Sequence, residues 1–282
     1  PTAGSIRFRS QQGAIDISKM SKSQLKSVRR DIQMLFQDPN SSLNSHMRIA
    51  DLIAEPLEIH NVGTHKTRME RVETLLEQVG LGAEMINRFP HQLSGGQRQR
   101  VGVARALSIE PLMIICDEPV SALDVSVQAQ VLNLLADLQS ELNLTYLFIA
   151  HDLSVVEYIS DRVIVMYLGH IMESAPTEKI YTRPTHPYTE ALLNAIPKRE
   201  KKKHRKRLVL KGDIPSPVNP PSGCVFHTRC PYVEDICRQV IPPLKPKIDD
   251  PDTQVACHLA DELSLTPYYN IEEVQQVSQY ER

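Results

Sequence analysis

Between Thr67 and Leu81 the stretch TRMERVETLLEQVGL repeats apolar residues at helical spacing. Met69, Val72, Leu75, Leu76 and Val79 fall on one face, and Gly80 stands where a helix stops. The same pattern extends back to Arg48, and a second helix is predicted through QRQRVGVARALSI up to Pro111. Then the period changes. LMIIC (112–116) and LTYLFIAH (144–151) are short apolar runs of the kind that form buried strands, separated by the helical stretch VSVQAQVLNLLADLQSEL (125–142). Upstream, IQMLFQ (32–37) reads as a strand that ends at Asp38-Pro39, because proline lacks an N–H and forces the loop DPNSSLN. The polar stretch SKSQLKSVRRD before it is helical, and SIRFRS and GAIDIS are strand pieces around a Gln-Gln-Gly turn. A helix LSVVEYIS and a hairpin RVIVMYLGHIMES follow the last buried strand. Strands alternating with helices predict an α/β fold with a parallel sheet covered on both faces.

The pattern breaks near Ala175. PTEKIYTRPTHPYTEALLNAIP is a proline-bounded helical segment, KREKKKHRKR is a dense basic run read as a solvated linker, and a Pro- and Cys-rich stretch with little periodicity follows. No internal repeat is present. The 32 basic and 34 acidic residues nearly cancel, so no global field calls for nucleic acid or an anionic membrane as a partner. The apolar runs are too short to span a bilayer, and PTAGSIRFRS has neither the charged nor the apolar region of a signal peptide. A cytosolic setting is the expectation, and the five cysteines are then free or metal-bound rather than paired as disulfides.

Candidate chemistry begins at LSGGQRQR (93–100), where a serine and two glycines run into a helix-forming segment. Glycines let backbone N–H groups approach an anion, and a helix N-terminus favours negative charge. A phosphate cradle of the G-x-x-x-x-G-K-[ST] kind would be expected alongside it, yet the sequence contains no Gly-Lys pair. Asp117 and Glu118 follow the apolar run LMIIC, which puts two carboxylates at the carboxyl edge of a parallel sheet, where ligands bind in such folds. The first suits Mg²⁺ and the second suits a base for an attacking water.

The order Gln37, LSGGQ, CDEP, SALD and a strand-end AHD resembles the ATP-binding-cassette (ABC) family throughout Pro1 to about Ser174. The resemblance implies a P-loop NTPase-like ABC nucleotide-binding domain over 1–175, with a helical signature subdomain at about 45–108, and a small Cys/Pro-rich C-terminal extension over 176–282. It implies ATP and Mg²⁺ as ligands. Gln37 looks like the glutamine that senses metal and γ-phosphate and faces the membrane partner, and Ser94, Gly95, Gly96 and Gln97 look like the signature turn. Asp117 and Glu118 look like the Walker B pair, Asp124 like the D-loop aspartate and His151 like the switch histidine. Arg98 and Arg100 read as solvated charge covering the signature helix.

In this family two nucleotide-binding domains pair head to tail, and each ATP lies between one subunit's phosphate loop and the other's signature turn. PTAGSIRF resembles the segment that follows the phosphate loop, so the chain is expected to be a truncated form rather than a decayed subunit. As given, it is expected to bind ATP poorly and not to hydrolyse it alone.

THPYTEALLNAIP, GDIPSPVNPPSGCVFHTRCPYVEDIC and VACHL resemble the C-terminal extension of ATPase subunits of oligopeptide and dipeptide importers, a group that includes nickel and some oligosaccharide systems. That implies a peripheral subunit on the cytoplasmic face of the cell membrane. Its partners would be a second ATPase, the same or different, two transmembrane permeases and, indirectly, a substrate-binding protein, with no nucleic acid. Cys224, Cys230, Cys237 and Cys257 lack the C-x2-C pairs of a zinc ribbon but suit a structural staple. The resemblance implies a [4Fe–4S] centre there, with Zn²⁺ second and free thiols third; His227 and His258 are bystanders, and Cys116 is a small core residue. Other readings are a nickel or oligosaccharide importer and a non-hydrolysing regulatory cassette. A translation or DNA-repair cassette would carry tandem cassettes or long coiled-coil insertions, and neither is present.

Overall fold

The computed structural model describes residues 2–10, 13–38, 42–196 and 210–269, and its contacts divide the chain into two units, Pro1–His151 and Asp152–Arg282. The basic run at 198–207 lies outside the described residues.

The first unit opens on an antiparallel hairpin of β1 (Arg7–Ser10) and β2 (Gly13–Asp16). Helix α1 (Lys22–Asp31) starts where Ser21 and Gln24 cap each other's backbone N–H, which satisfies two donors that a helix start leaves open. It leads directly into β3 (Ile32–Leu35). Helices α2 (Ile49–Ile59), α3 (His65–Gln78) and α4 (Gly95–Leu107) follow. The chain returns to the sheet as β4 (Met113–Asp117), crosses over through α5 (Val125–Leu142) and finishes as β5 (Thr145–Ile149). The sheet order is β3-β4-β5, parallel throughout, with Leu35 beside Cys116 and Cys116 beside Phe148.

The apolar face read for α3 is the one that packs. Val72, Leu75, Leu76 and Val79 are fully buried, with Met69 at the half-buried margin. Gly80 takes φ +69, the left-handed conformation that ends a helix without a Cβ penalty. On the sheet, side chains alternate. Leu35 faces α4, where it approaches Gly102, and Tyr146 donates its hydroxyl to Leu135 O of α5 at 3.0 Å. The Cys116 thiol, on the same face, is pushed up to about 12 by burial, as suits an inert core residue. The expected cover on both faces is not what the described residues provide. Met34, Leu147 and Ile149 point to the other face and are 39–45 % exposed, because α4 and α5 both lie on the Cys116 side.

The second unit contains α6 (Leu153–Ile159), the hairpin β6 (Arg162–Tyr167) and β7 (His170–Pro176), α7 (Thr177–Thr182), α8 (Pro187–Ala195), α9 (Asp235–Gln239), β8 (Lys245–Lys247) and β9 (Asp250–Val255). Its antiparallel sheet runs β6-β7-β9-β8. The Pro- and Cys-rich stretch therefore supplies two strands that its weak periodicity hides, and β9 pairs with β7 at Glu173 and Ser174. The core is aromatic: Phe226 is fully buried, with the rings of Tyr167, Tyr188 and His186 around it.

Two buried polar groups organise the chain between β7 and α8. Glu173 accepts from Thr185 N (2.8 Å), Thr185 Oγ1 (2.7 Å) and His186 N (3.0 Å), although burial still raises its pKa. His186 Nδ1 accepts from Tyr188 N at 3.0 Å and so caps α8, and burial pushes its pKa down to about 3. A depressed folded value means that His186 contributes stability above its ordinary pKa of 6.5, and that this is lost as pH falls from 6.5 toward 3. Glu173 acts with the opposite sign, since its raised pKa makes ionisation costly as pH rises. His186→Asn keeps a capping acceptor and the backbone donor to Glu173 but removes the titrating ring. Between pH 7.5 and pH 5 the parent chain is therefore expected to lose roughly 2 kcal/mol more unfolding free energy than His186→Asn. Urea unfolding at the two pH values measures this, and parallel pH profiles would contradict it.

Candidate functional site

Parallel strands deliver their carboxyl ends to one edge of the sheet, and here three adjacent ends carry polar side chains. Gln37 comes two residues after β3, Glu118 directly follows β4, and His151 comes two residues after β5. Glu118 N donates to Ile149 O at 2.9 Å, one bond past the regular ladder, and the backbone then turns with φ +44. A non-glycine residue in this left-handed region stores conformational strain on the order of 1–3 kcal/mol. The turn is held by Ser121, whose N–H and hydroxyl both donate to Glu118 O. Gln37 Nε2 donates to Glu118 Oε2 at 2.9 Å, and His151 Nδ1 lies 3.2 Å from Glu118 Oε1. The carboxylate is about a quarter exposed and the imidazole about 71 % exposed, so the cluster is open to water and ligand. Asp117, the last residue of β4, is half-buried at the same edge and pairs with Ile149.

A second cluster forms where α4 begins. Ser94 is its N-cap: Ser94 Oγ accepts from Gln97 N at 3.3 Å, and Gln97 Oε1 accepts from Ser94 N at 3.0 Å. Gln97 is thereby a capping partner of Ser94. Gly95 and Gly96 form the first turn, where N–H groups have no partner within the helix. Their lack of a side chain also has a packing reason. A Cβ on Gly96 would run into Val127 Cγ1, and one on Gly95 would sit 3.4 Å from Leu123 Cδ2. The helix start is thus pressed against the start of α5, which Asp124 caps by accepting from Val127 N (3.0 Å) and Ser126 Oγ (2.9 Å). Those two bonds, the backbone one first, hold the Asp124 carboxyl below the ordinary carboxylate range.

Arg98 and Arg100 are not loose surface charge. Arg98 Nη1 donates to Leu93 O (2.7 Å) and Pro90 O (3.3 Å), staking down the turn that enters the signature stretch. Arg100 Nη1 donates to Val79 O (2.8 Å) at the end of α3, and Nη2 to Gln130 Oε1 (3.3 Å) on α5. Sequence reasoning missed both because their acceptors are backbone carbonyls and a side chain remote in sequence.

In the second unit Cys224, Cys230, Cys237 and Cys257 all line one small, tight pocket, and all are free thiols. Burial raises Cys224, Cys230 (to about 12) and Cys257 (to about 11). His227 Nδ1 meets Cys224 O and His258 Nε2 meets Val240 O, each at 2.9 Å, so each ring commits a nitrogen to the backbone. Among the described residues no set of three or more His, Cys, Asp or Glu side chains is arranged to hold a metal ion. The iron–sulfur and zinc expectations are therefore not met by a formed metal site.

Residues 1–121 match the ABC transporter family, and residues 172–237 match the oligopeptide/dipeptide transporter C-terminal region. The oligopeptide transport ATP-binding protein AppF of Bacillus subtilis (strain 168) is 55 % identical over 262 residues, covering 92 % of this chain and 78 % of that protein. The chain belongs to the ATP-binding subunits of the ABC transporter family. A putative peptide import ATP-binding protein of Brucella ovis, BOV_A0347, is 56 % identical over 245 residues, covering 87 % of this chain and 76 % of that one. Among solved structures, the dimeric bacterial ABC transporter cassette MJ0796 is similar at 29 % identity and a TM-score of 0.55, over 63 % of this chain and 75 % of that one. Its dimeric post-hydrolysis state, bound to ADP and Pi, gives 30 % identity and a TM-score of 0.52 over 58 % and 70 %. This ABC subunit is thus an α/β ATPase of the cassette type. No helix among its described residues is long and apolar enough to cross a membrane.

The contact between Gly96 and Val127 gives a direct test of the signature turn. Gly96→Ala is expected to cost about 1–3 kcal/mol through overpacking, and adding Val127→Ala is expected to relieve much of that loss. Thermal or urea unfolding of the two single variants and the double variant measures the coupling. Strict additivity would show that the two positions do not meet.

Proposed function

We propose that this chain is the ATP-hydrolysing subunit of an importer that carries oligopeptides or dipeptides across the cytoplasmic membrane. The observation that carries the reading is the convergence of Gln37, Glu118 and His151 at the carboxyl edge of a parallel sheet. Phosphoryl transfer to water requires a positioned water, a group to accept its proton and compensation of charge on the phosphate. Glu118 is the base. His151, on its other oxygen, is placed to steer the γ-phosphate and water, and Gln37 registers whether nucleotide is present. Asp117 is the residue to hold Mg²⁺, which would supply charge compensation on the phosphates; a half-buried strand-end carboxylate suits such a hard cation.

In the Ser94-Gly95-Gly96-Gln97 turn, Gly95 and Gly96 offer their helix N–H groups to the nucleotide of a second ATPase subunit, paired head to tail, and the Asp124 turn borders it. With the parts of each site divided between two chains, hydrolysis is tied to closure of the pair. Two membrane permeases would complete the assembly, with the subunit peripheral on the cytoplasmic side. Peptide as cargo is supported by the C-terminal region over 172–237 and by the names of the relatives.

For the extension, we infer that the thiols of Cys224, Cys230, Cys237 and Cys257 hold a [4Fe–4S] centre in preference to zinc. Support lies in four free thiols around one pocket, the donor number such a centre uses. Bound there, the centre would cross-link four points of the extension.

In the assembled transporter, with a phosphate loop supplied ahead of Pro1, Glu118→Gln is expected to lower kcat for ATP by a factor on the order of 10² or more while leaving nucleotide binding in place. Unchanged turnover would remove Glu118 from the reaction. For the extension, the expected result is brown protein whose visible absorbance disappears in Cys224→Ser. Colourless protein with stoichiometric zinc would overturn the cluster assignment.

A further inference from the structure

Arg105 lies in the last turn of α4, at the opposite end of the helix from Ser94. Its Nη1 donates to Ser42 O at 3.1 Å, and its Nη2 pairs with Glu55 Oε2 of α2 at 2.6 Å. One guanidinium therefore ties the signature helix to α2 and to the chain five residues beyond Gln37. Ser42 N in turn donates to Asp38 O at 3.1 Å, which links the residue that Arg105 holds to the neighbour of Gln37. At the front of the same loop, Gln37 holds Glu118. A continuous set of polar contacts thus runs from the carboxylate at the end of β4, through the Gln37 loop, to the helix whose first turn is Ser94-Gly95-Gly96.

Apolar packing also joins these helices: Ile53 of α2 and Val101 and Ala104 of α4 are fully buried, and the Arg105–Glu55 pair is about a third exposed, where ion pairs add little stability. What the guanidinium adds is geometry, because its planar fork engages two acceptors in fixed directions, as a lysine ammonium cannot.

We propose that Arg105 is a positioning residue that couples the Gln37 loop to the signature helix, so that withdrawal of Gln37 from Glu118 is passed to the Ser94 turn. The proposal rests on the ATPase-subunit reading above and adds to it the residue through which the two clusters communicate. Coupling of this kind requires an element that moves as one body, and α4, joined by Arg105 to Ser42 and through it to Asp38 beside Gln37, supplies it.

Two measurements test it. In the full transporter, Arg105→Gln is expected to lower the ratio of peptide-stimulated to basal ATPase at least fivefold while the KM for ATP stays within twofold. Arg105→Lys, which keeps the charge but not the fork, is expected to fall between, and it carries the test if the glutamine variant fails to assemble. A parental ratio in both variants, or kcat and KM changing in proportion, would overturn the proposal. A parent transporter that peptide does not stimulate would instead refute the peptide-import reading. Amide hydrogen exchange on the full chain then tests Arg105 independently of transport. Gln37→Ala is expected to speed exchange at Gln97 and Arg98, whose N–H groups bond back to Ser94, in the parent and to have no such effect in Arg105→Gln. Equal acceleration in both backgrounds would overturn the coupling.

Discussion

The parallel pairing of β4 with β3 on one side and β5 on the other is the constraint from which the chemistry of the first unit follows. Parallel strands end on the same edge, so residues 37, 118 and 151, far apart in sequence, emerge side by side. The extra bond from Glu118 N to Ile149 O and the left-handed turn that follows decide where the carboxylate points. Both Glu118 oxygens are engaged, one by Gln37 and one by His151. The carboxylate therefore sits in a defined polar frame.

Close packing at glycine and arginine bridges to distant carbonyls set the second cluster. Gly96 lets α4 start against Val127, while Arg98, Arg100 and Arg105 fasten that helix to the preceding turn, to α3 and α5, and to α2 and the Gln37 loop. Each arginine satisfies a carbonyl at a helix end or turn, where intrahelical donors run out.

In the second unit a short stretch with poor periodicity is organised by buried polar groups instead of by amphipathic elements. Glu173 and His186 satisfy the backbone between β7 and α8, and Glu190, also buried, accepts from Tyr232 OH and Thr266 N. Around them the aromatic cluster at Phe226 supplies the apolar core. The four cysteines lie in the loops and short elements that this core brings together. Compaction of a segment this poor in helices and long strands depends on such specific contacts, which explains why Glu173, Glu190 and the His186 and Phe226 rings are buried.

Much was legible in the sequence. The 3.6-residue period marked α3 down to its buried face, the apolar runs before Asp117 and His151 marked β4 and β5, and the order of Gln37, LSGGQ, Asp117-Glu118 and His151 pointed to the family. These signals are local: a side-chain period, a strand followed by a polar end, a glycine pair after a cap. Other features were decided only by tertiary structure. Glu173 pairing with Val255, Gly96 meeting Val127, Arg105 joining Ser42 to Glu55 and the four thiols sharing a pocket all depend on residues that the fold brings together across long stretches of chain. The physical reason is the same in each case. Periodicity records which way a side chain points from its own element, whereas a contact depends on which other element arrives in front of it.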